Sequence, residues 1–195
     1  MRLFIAVELD ENIRRRAARV AEDLAVQLEP RGGRRSVTWV APQNLHLTLR
    51  FLGEVSAPAA QEVAHRLEAP FTTPAFDLSV SGVGAFPPSA PPRVIWLGVV
   101  EGAAALAGLH EEVEARLSGL GFERDDRPFR SHLTLGRVKA GLGPRWRDAL
   151  AAAKDTGVGR CRIDHLTLFE SRLSSAGPTY TRMLTSPLGP GGSDT

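Results

Sequence analysis

The chain has 195 residues, 43% of them apolar and 24% charged, enough for one substantial core or for two small lobes sharing one. Its 24 Lys and Arg against 22 Asp and Glu leave a net charge of +2, so it does not coat nucleic acid by bulk charge and must meet any anion at a local site. The single cysteine, Cys161, excludes an intramolecular disulfide and any zinc site built on two or more thiolates, and points to a reducing compartment. The opening MRLFIAVELDEN has too short an apolar run for a signal peptide. No stretch approaches the roughly 18 apolar residues that span a membrane, so the expected location is the cytoplasm, away from any membrane.

In chain order, Leu3 to Leu9 reads as a strand. Glu11 to about Leu28 has helical spacing, with Asp10 as its N-cap, and ends in a basic loop at Pro30 and Gly32-Gly33. Val37 to Val40 is a short strand, residues 41–44 a turn, and Leu45 to Leu52 a strand stopped by Gly53. A helix from about Pro58 to Leu67, capped by Ser56, precedes a strand from Phe76 to Val83. Residues 84–92, rich in Pro and Gly, give the strongest loop signal. The order of elements then starts to repeat: strand Val94 to Val99, helix Ala103 to Leu117, strand Ser131 to Val138, helix Arg145 to Lys154. Strands near Arg160 to Phe169 and Tyr180 to Pro187 close a domain over residues 1–188, and 189–195 read as a disordered tail. Short turns between mixed strands and helices indicate an α+β chain of two similar lobes.

Two segments match across this apparent duplication. Asn44-Leu45-His46-Leu47-Thr48-Leu49-Arg50-Phe51 and Arg130-Ser131-His132-Leu133-Thr134-Leu135-Gly136-Arg137 share a His-Leu-Thr-Leu core. Side chains alternate along a strand, so the leucines occupy one face while His46, Thr48 and Arg50 take the other, as do His132 and Thr134. By the same parity Phe51 lies behind His46, in the core. The leucine faces need burial, which leaves the His/Thr faces toward a groove or solvent. Two histidines on opposite sides of a phosphate suit hydrolysis of a cyclic phosphodiester, one taking a proton from water and the other giving one to the leaving oxygen. The threonine hydroxyls, with Arg137 close by, suit the non-bridging oxygens. The scheme needs no metal and no cofactor.

Taken together these segments resemble the 2H phosphoesterases, and within them the RNA 2′,3′-cyclic phosphodiesterases, also called 2′-5′ RNA ligases. The resemblance also includes Arg2 to Val7, Trp39, Phe51 to Val55, Leu168 to Ser171 and Gly177 to Tyr180, and so spans nearly the whole chain. It implies a bilobed α+β fold with pseudo-two-fold symmetry, each lobe an antiparallel sheet with helices on its outer face, and an active-site cleft between them. It further implies hydrolysis of RNA 2′,3′-cyclic phosphate ends to 2′-phosphates, with His46 the acid toward O3′ and His132 the base toward water. Thr48, Thr134 and Arg137 match the family's phosphate ligands. The residues alone leave open which histidine does which task.

Other features are read more plainly. Asp164-His165-Leu166-Thr167 is a third His-x-Thr, discounted because a two-fold duplication has room for two; a three-histidine metal site is the alternative. His65 and His110 fall in helices and read as surface residues, and Cys161 as a small buried hydrophobe. Trp39 either stacks a nucleobase or packs. Arg14-Arg15-Arg16 and Arg31, Arg34 and Arg35 either meet phosphate or form a solvated helix face and loop. The expected partner is RNA with 2′,3′-cyclic phosphate ends, tRNA fragments among them, and the expected state a monomer. Ligation through a 2′-5′ bond, action on another small cyclic phosphate, and non-catalytic binding of RNA ends are the competing functions. No Gly-x-x-x-x-Gly-Lys-[Ser/Thr] loop supports an ATP-driven ligase.

Overall fold

The computed structural model describes residues 1–29, 36–88, 90–124, 128–143, 145–175 and 177–190. Its strands are β1 (Arg2–Glu8), β2 (Val37–Trp39), β3 (His46–Glu54), β4 (Phe76–Phe86), β5 (Val94–Glu101), β6 (His132–Val138), β7 (Gly157–Ile163), β8 (His165–Ser174) and β9 (Gly177–Pro187). Its helices are α1 (Glu11–Leu28), α2 (Ala57–Glu68), α3 (Ala103–Leu117) and α4 (Trp146–Ala152), with a 3-10 turn at Pro42–Asn44. The basic loop at 30–35 and the end of the tail, 191–195, lie outside the described residues. Gly189, assigned to the tail, instead bonds to Thr73 and Ala75 through its backbone.

Leu3, Phe4, Ile5, Ala6 and Val7 are all buried, and a run apolar on both faces belongs at the centre of a covered sheet. β1 is placed there, in an antiparallel sheet of order β3-β1-β8-β9. The second sheet, also antiparallel, has the order β2-β6-β5-β4-β7. The lobes are not the two halves of the chain. β1 and β3 share their sheet with the C-terminal β8 and β9, and β2 crosses over to join β6. The helices cross too: α1 follows β1 but packs on β6, β7 and α4, while α3 follows β5 but packs on β3 and α2. The span expected as one strand from Arg160 to Phe169 is therefore two, β7 and β8, separated at Asp164 where the chain changes sheets.

Local sequence explains most element ends. The Asp10 carboxylate accepts the Ile13 N–H at 2.7 Å and the Ser56 hydroxyl accepts the Ala59 N–H at 3.4 Å, satisfying donors that a helix start leaves free. Gly53 does not end β3: at φ 73 it carries the strand on to Glu54, a conformation only glycine adopts cheaply. β4 likewise continues to Phe86, three residues into the expected loop.

One irregularity recurs in both motif strands. In β3, Thr48 pairs with Ala6 and Arg50 with Ile5, which leaves Leu49 unpaired. In β6, Thr134 pairs with Trp96 and Gly136 with Ile95, which leaves Leu135 unpaired. Each is a β-bulge, and one extra residue reverses the facing of every side chain after it. Arg50, expected on the His46 face, turns to the helix side and pairs with Glu114 of α3 at 2.9 Å. Phe51, expected in the core, turns to the His46 side and is 56% exposed. In β6 the helix side receives Gly136, where a Cβ would come within 2.7 Å of Val37 and 2.9 Å of the Trp39 ring, and the cleft side receives Arg137. Trp39 thus packs against the back of β6.

A bulge leaves a carbonyl to be satisfied. The Leu135 carbonyl accepts the Val40 N–H at 2.8 Å. The Leu49 carbonyl accepts Nδ1–H of His110 at 3.0 Å. His110 is buried, not at the surface as expected, and its ring stacks on Phe129 at 4.4 Å. It therefore links the β3 bulge to the segment that leads into His132. Replacing it by leucine leaves the Leu49 carbonyl unpaired. His110→Leu is expected to lower unfolding free energy by about 1–3 kcal/mol in denaturant titration, against less than about 0.5 kcal/mol for the exposed His65→Leu.

Candidate active site

His46 stands on β3, an edge strand of its sheet, and β3 and β6 lie against each other although they belong to different sheets. The two histidines are held alike. His46 Nδ1 is 2.7 Å from the Asn44 carbonyl, and His132 Nδ1 is 2.7 Å from the Arg130 carbonyl. A carbonyl only accepts, so in both rings Nδ1 carries the proton and Nε2 is the nitrogen that titrates. Nε2 of His46 lies 3.1 Å from the Thr48 hydroxyl, so the His-x-Thr spacing brings both groups to one point. Thr134 follows His132 by the same two residues, half-buried, with Leu133 and Leu135 fully buried behind. Arg137 is exposed on the same side; burial raises the pKa of Tyr180 in the other lobe, and the charge of Arg137 opposes that rise.

The two imidazoles sit in unlike surroundings. His46 packs on Phe4 at 4.8 Å and meets Tyr180 edge-on at 5.4 Å. This burial lowers its pKa, opposed by the bond to the Asn44 carbonyl and by the charge of Glu8. Phe4, Ala6 and Phe169 form a small apolar floor on the cleft side of the sheet, with Tyr180 packed against it. His132 meets Phe86 edge-on at 5.3 Å and Trp96 at 6.5 Å, and the Arg130 guanidinium lies 5.9 Å over the Phe86 ring.

A cavity of about 330 Å³ opens beside His46, with Glu8, Arg14, Thr179, Tyr180 and Arg182 in its walls. Arg182 grips both oxygens of Glu8, at 2.6 and 2.9 Å, and the Thr167 hydroxyl donates to one of them at 3.0 Å. The Arg182 bond is the main reason the Glu8 carboxyl is held below the usual carboxylate range. His165 lies beyond β1 from β3, 2.5 Å from Asp164 and 3.8 Å from Glu8, and does not join the other two histidines. Among the described residues no three His, Cys, Asp or Glu side chains gather as a metal-binding set. Cys161 is buried, and no helix among the described residues is long and apolar enough to cross a membrane.

Sequence alone misplaces one neighbour of this site and passes over two. Phe51 was assigned to the wrong face because the bulge has no signature in the side-chain pattern. Glu8 was readable as a charge ending a strand otherwise buried on both faces. Tyr180, the only tyrosine of the chain, falls within a stretch that resembles the family but carries no titrating motif.

The LigT-like phosphoesterase model matches residues 7–96 and again 97–180, so the internal repeat is recognised twice. The chain is 38% identical over 180 residues to the RNA 2′,3′-cyclic phosphodiesterase of Archaeoglobus fulgidus, covering 92% of this chain and 96% of that one. It is 36% identical over 181 residues to the protein of the same name from Thermotoga maritima, covering 92% and 91%. In structure it is similar to TT0787 of Thermus thermophilus, with a TM-score of 0.74 at 29% identity over 96% of this chain and 97% of that one. Escherichia coli LigT complexed with 3′-AMP gives a TM-score of 0.73 at 27% identity over the same shares of the two chains. With two copies of one histidine motif facing a cleft between related sheets, the chain belongs to the LigT-like phosphoesterase family of the 2H superfamily.

Proposed function

We propose that the protein hydrolyses RNA 2′,3′-cyclic phosphate ends to 2′-phosphates by paired-histidine acid–base catalysis without a metal ion. The observation that carries this reading is the identical tethering of His46 and His132 at Nδ1, which leaves two titrating Nε2 atoms on strands that meet from different lobes. A site that only held phosphate would need donors, not two groups that exchange protons near neutral pH.

His132 Nε2 takes a proton from water as the water oxygen bonds to phosphorus. The P–O3′ bond breaks in line, its electron pair goes to O3′, and the Nε2 proton of His46 follows it. The 2′-phosphate and a free 3′-hydroxyl remain, and proton exchange with solvent restores the starting forms. The Thr48 and Thr134 hydroxyls and the Arg137 guanidinium donate to the non-bridging oxygens, where charge builds. A 5′-hydroxyl in place of water gives a 2′-5′ linkage through the same steps. The exposed ring of Phe51, on the same face and 5.9 Å from Phe4, offers an apolar surface on which the terminal base can stack.

The direct test is a short RNA with a 2′,3′-cyclic phosphate end, incubated in EDTA. A 2′-phosphate product is expected, with His46→Ala and His132→Ala each slowing turnover by about 10²–10⁴-fold. Turnover that needs a divalent ion overturns the mechanism, and loss of RNA binding in both variants without any wild-type turnover favours a binding protein. Phe51→Ala is expected to raise KM about tenfold or more while kcat changes little, from the 1–3 kcal/mol typical of base stacking.

The pH profile assigns the two roles. An acid must be protonated to act, so the His46 pKa sets the alkaline limb of kcat/KM if His46 is the acid. Glu8 raises that pKa, so Glu8→Gln is expected to move the alkaline limb toward lower pH. Movement of the acidic limb instead would exchange the roles of the two histidines.

A further inference from the structure

We infer that the cavity beside His46 is a subsite for the nucleotide immediately 5′ of the cyclic phosphate, with Arg14 holding the phosphodiester that joins the two. The inference rests on the hydrolase reading above and extends it from the reacting end into the RNA chain.

Three observations converge on it. The first is position. In the proposed reaction O3′ departs beside His46, so the terminal ribose lies on the His46 side of the cleft, and the RNA continues from its 5′ edge. The cavity has His46 in its wall, while none of His132, Thr134 and Arg137 is among its lining residues. At about 330 Å³ it is at the small end of ligand pockets, a size that suits one nucleotide.

The second is charge. Among the described residues, the charged lining besides His46 is Glu8, Arg14 and Arg182. Glu8 and Arg182 neutralise each other through the two-pronged contact already described. The Arg14 side chain has no hydrogen bond or ion pair to any described residue, so among the described residues the cavity carries one uncompensated positive charge. A phosphodiester carries one negative charge, and guanidinium meets it with paired donors.

The third is how Arg14 gets there. Of the three consecutive arginines in α1, Arg15 is exposed and bonds Asn12 and Arg16 is exposed near Gly159, while Arg14 alone is half-buried and lines the cavity. α1 packs on the second lobe, yet this side chain reaches a cavity walled by strands of the first. The rim is held in place, since the Asn44 side-chain amide donates to the Pro178 carbonyl at 2.9 Å. Thr179 and Tyr180 add polar tips for a ribose or base.

The experiment compares two substrates that share the reacting group. One is a nucleoside 2′,3′-cyclic phosphate with a free 5′-hydroxyl, and the other a dinucleotide with the same end and one phosphodiester 5′ of it. The wild-type enzyme is expected to prefer the dinucleotide in kcat/KM, and Arg14→Gln to reduce that preference about tenfold. Arg14→Lys, which keeps the charge, should recover part of it. The salt dependence should change in step, the dinucleotide slope of log kcat/KM against log salt becoming shallower by about 0.7 in Arg14→Gln, as for one lost single-strand phosphate contact. Equal efficiency on both substrates in the wild type overturns the subsite alone, as does a preference that survives Arg14→Gln. No wild-type turnover of either substrate overturns the hydrolase reading, and the subsite with it.

Discussion

The arrangement of this site depends on one extra residue after each motif threonine. A strand alternates its side chains with a period of two, so a group five places after a histidine belongs on the opposite face. Leu49 and Leu135 each add a residue to the ladder and remove that conflict. The same device then serves different chemistry in the two lobes. In β3 it delivers the flat apolar ring of Phe51, and in β6 the planar cation of Arg137, which the proposed reaction assigns to a base and a phosphate respectively. The positions sent backward by the bulge differ as well: Arg50 finds Glu114 on α3, while on the β6 side only a glycine fits beneath Val37 and Trp39.

A bulge persists only where its stray carbonyl finds a donor, and the lobes solve this differently. One uses a backbone N–H, from Val40. The other uses the imidazole of a buried helical histidine, His110, which also stacks on the segment approaching His132. A histidine outside the repeated motif thus ties the strand that carries His46 to the segment that leads into His132. The two motif histidines are asymmetric in a similar way. His46 is enclosed by Phe4 and Tyr180, and the neighbouring Glu8 offsets part of the effect of that burial. The duplication supplied two equivalent imidazoles, and their surroundings have made them unlike.

Much of this was legible in the residues. The leucine alternation around each His-x-Thr places the histidines opposite a core, and the helix caps Asp10 and Ser56 stand where the pattern puts them. What escaped was whatever depends on partners distant in sequence. A bulge is a relation between two strands, so neither Phe51 nor Arg50 can reveal its face from its own neighbours. The burial of His110 follows from α3 lying on β3, a contact across lobes that its helical spacing does not contain. The break at Asp164 escaped for a related reason, since β7 and β8 form one nearly continuous run and part only because they join different sheets.

That interleaving decides what kind of machine the cleft can be. The backbone passes from one sheet to the other between β1 and β2, β2 and β3, β3 and β4, and β7 and β8. Walls joined at four crossings are less free to move apart than jaws hinged on one or two, so the fold itself largely sets the gap between them. For the proposed hydrolase reading, a slot of set width suits a thin, unpaired RNA end better than a base-paired one, a preference that would come from architecture without a single base being read.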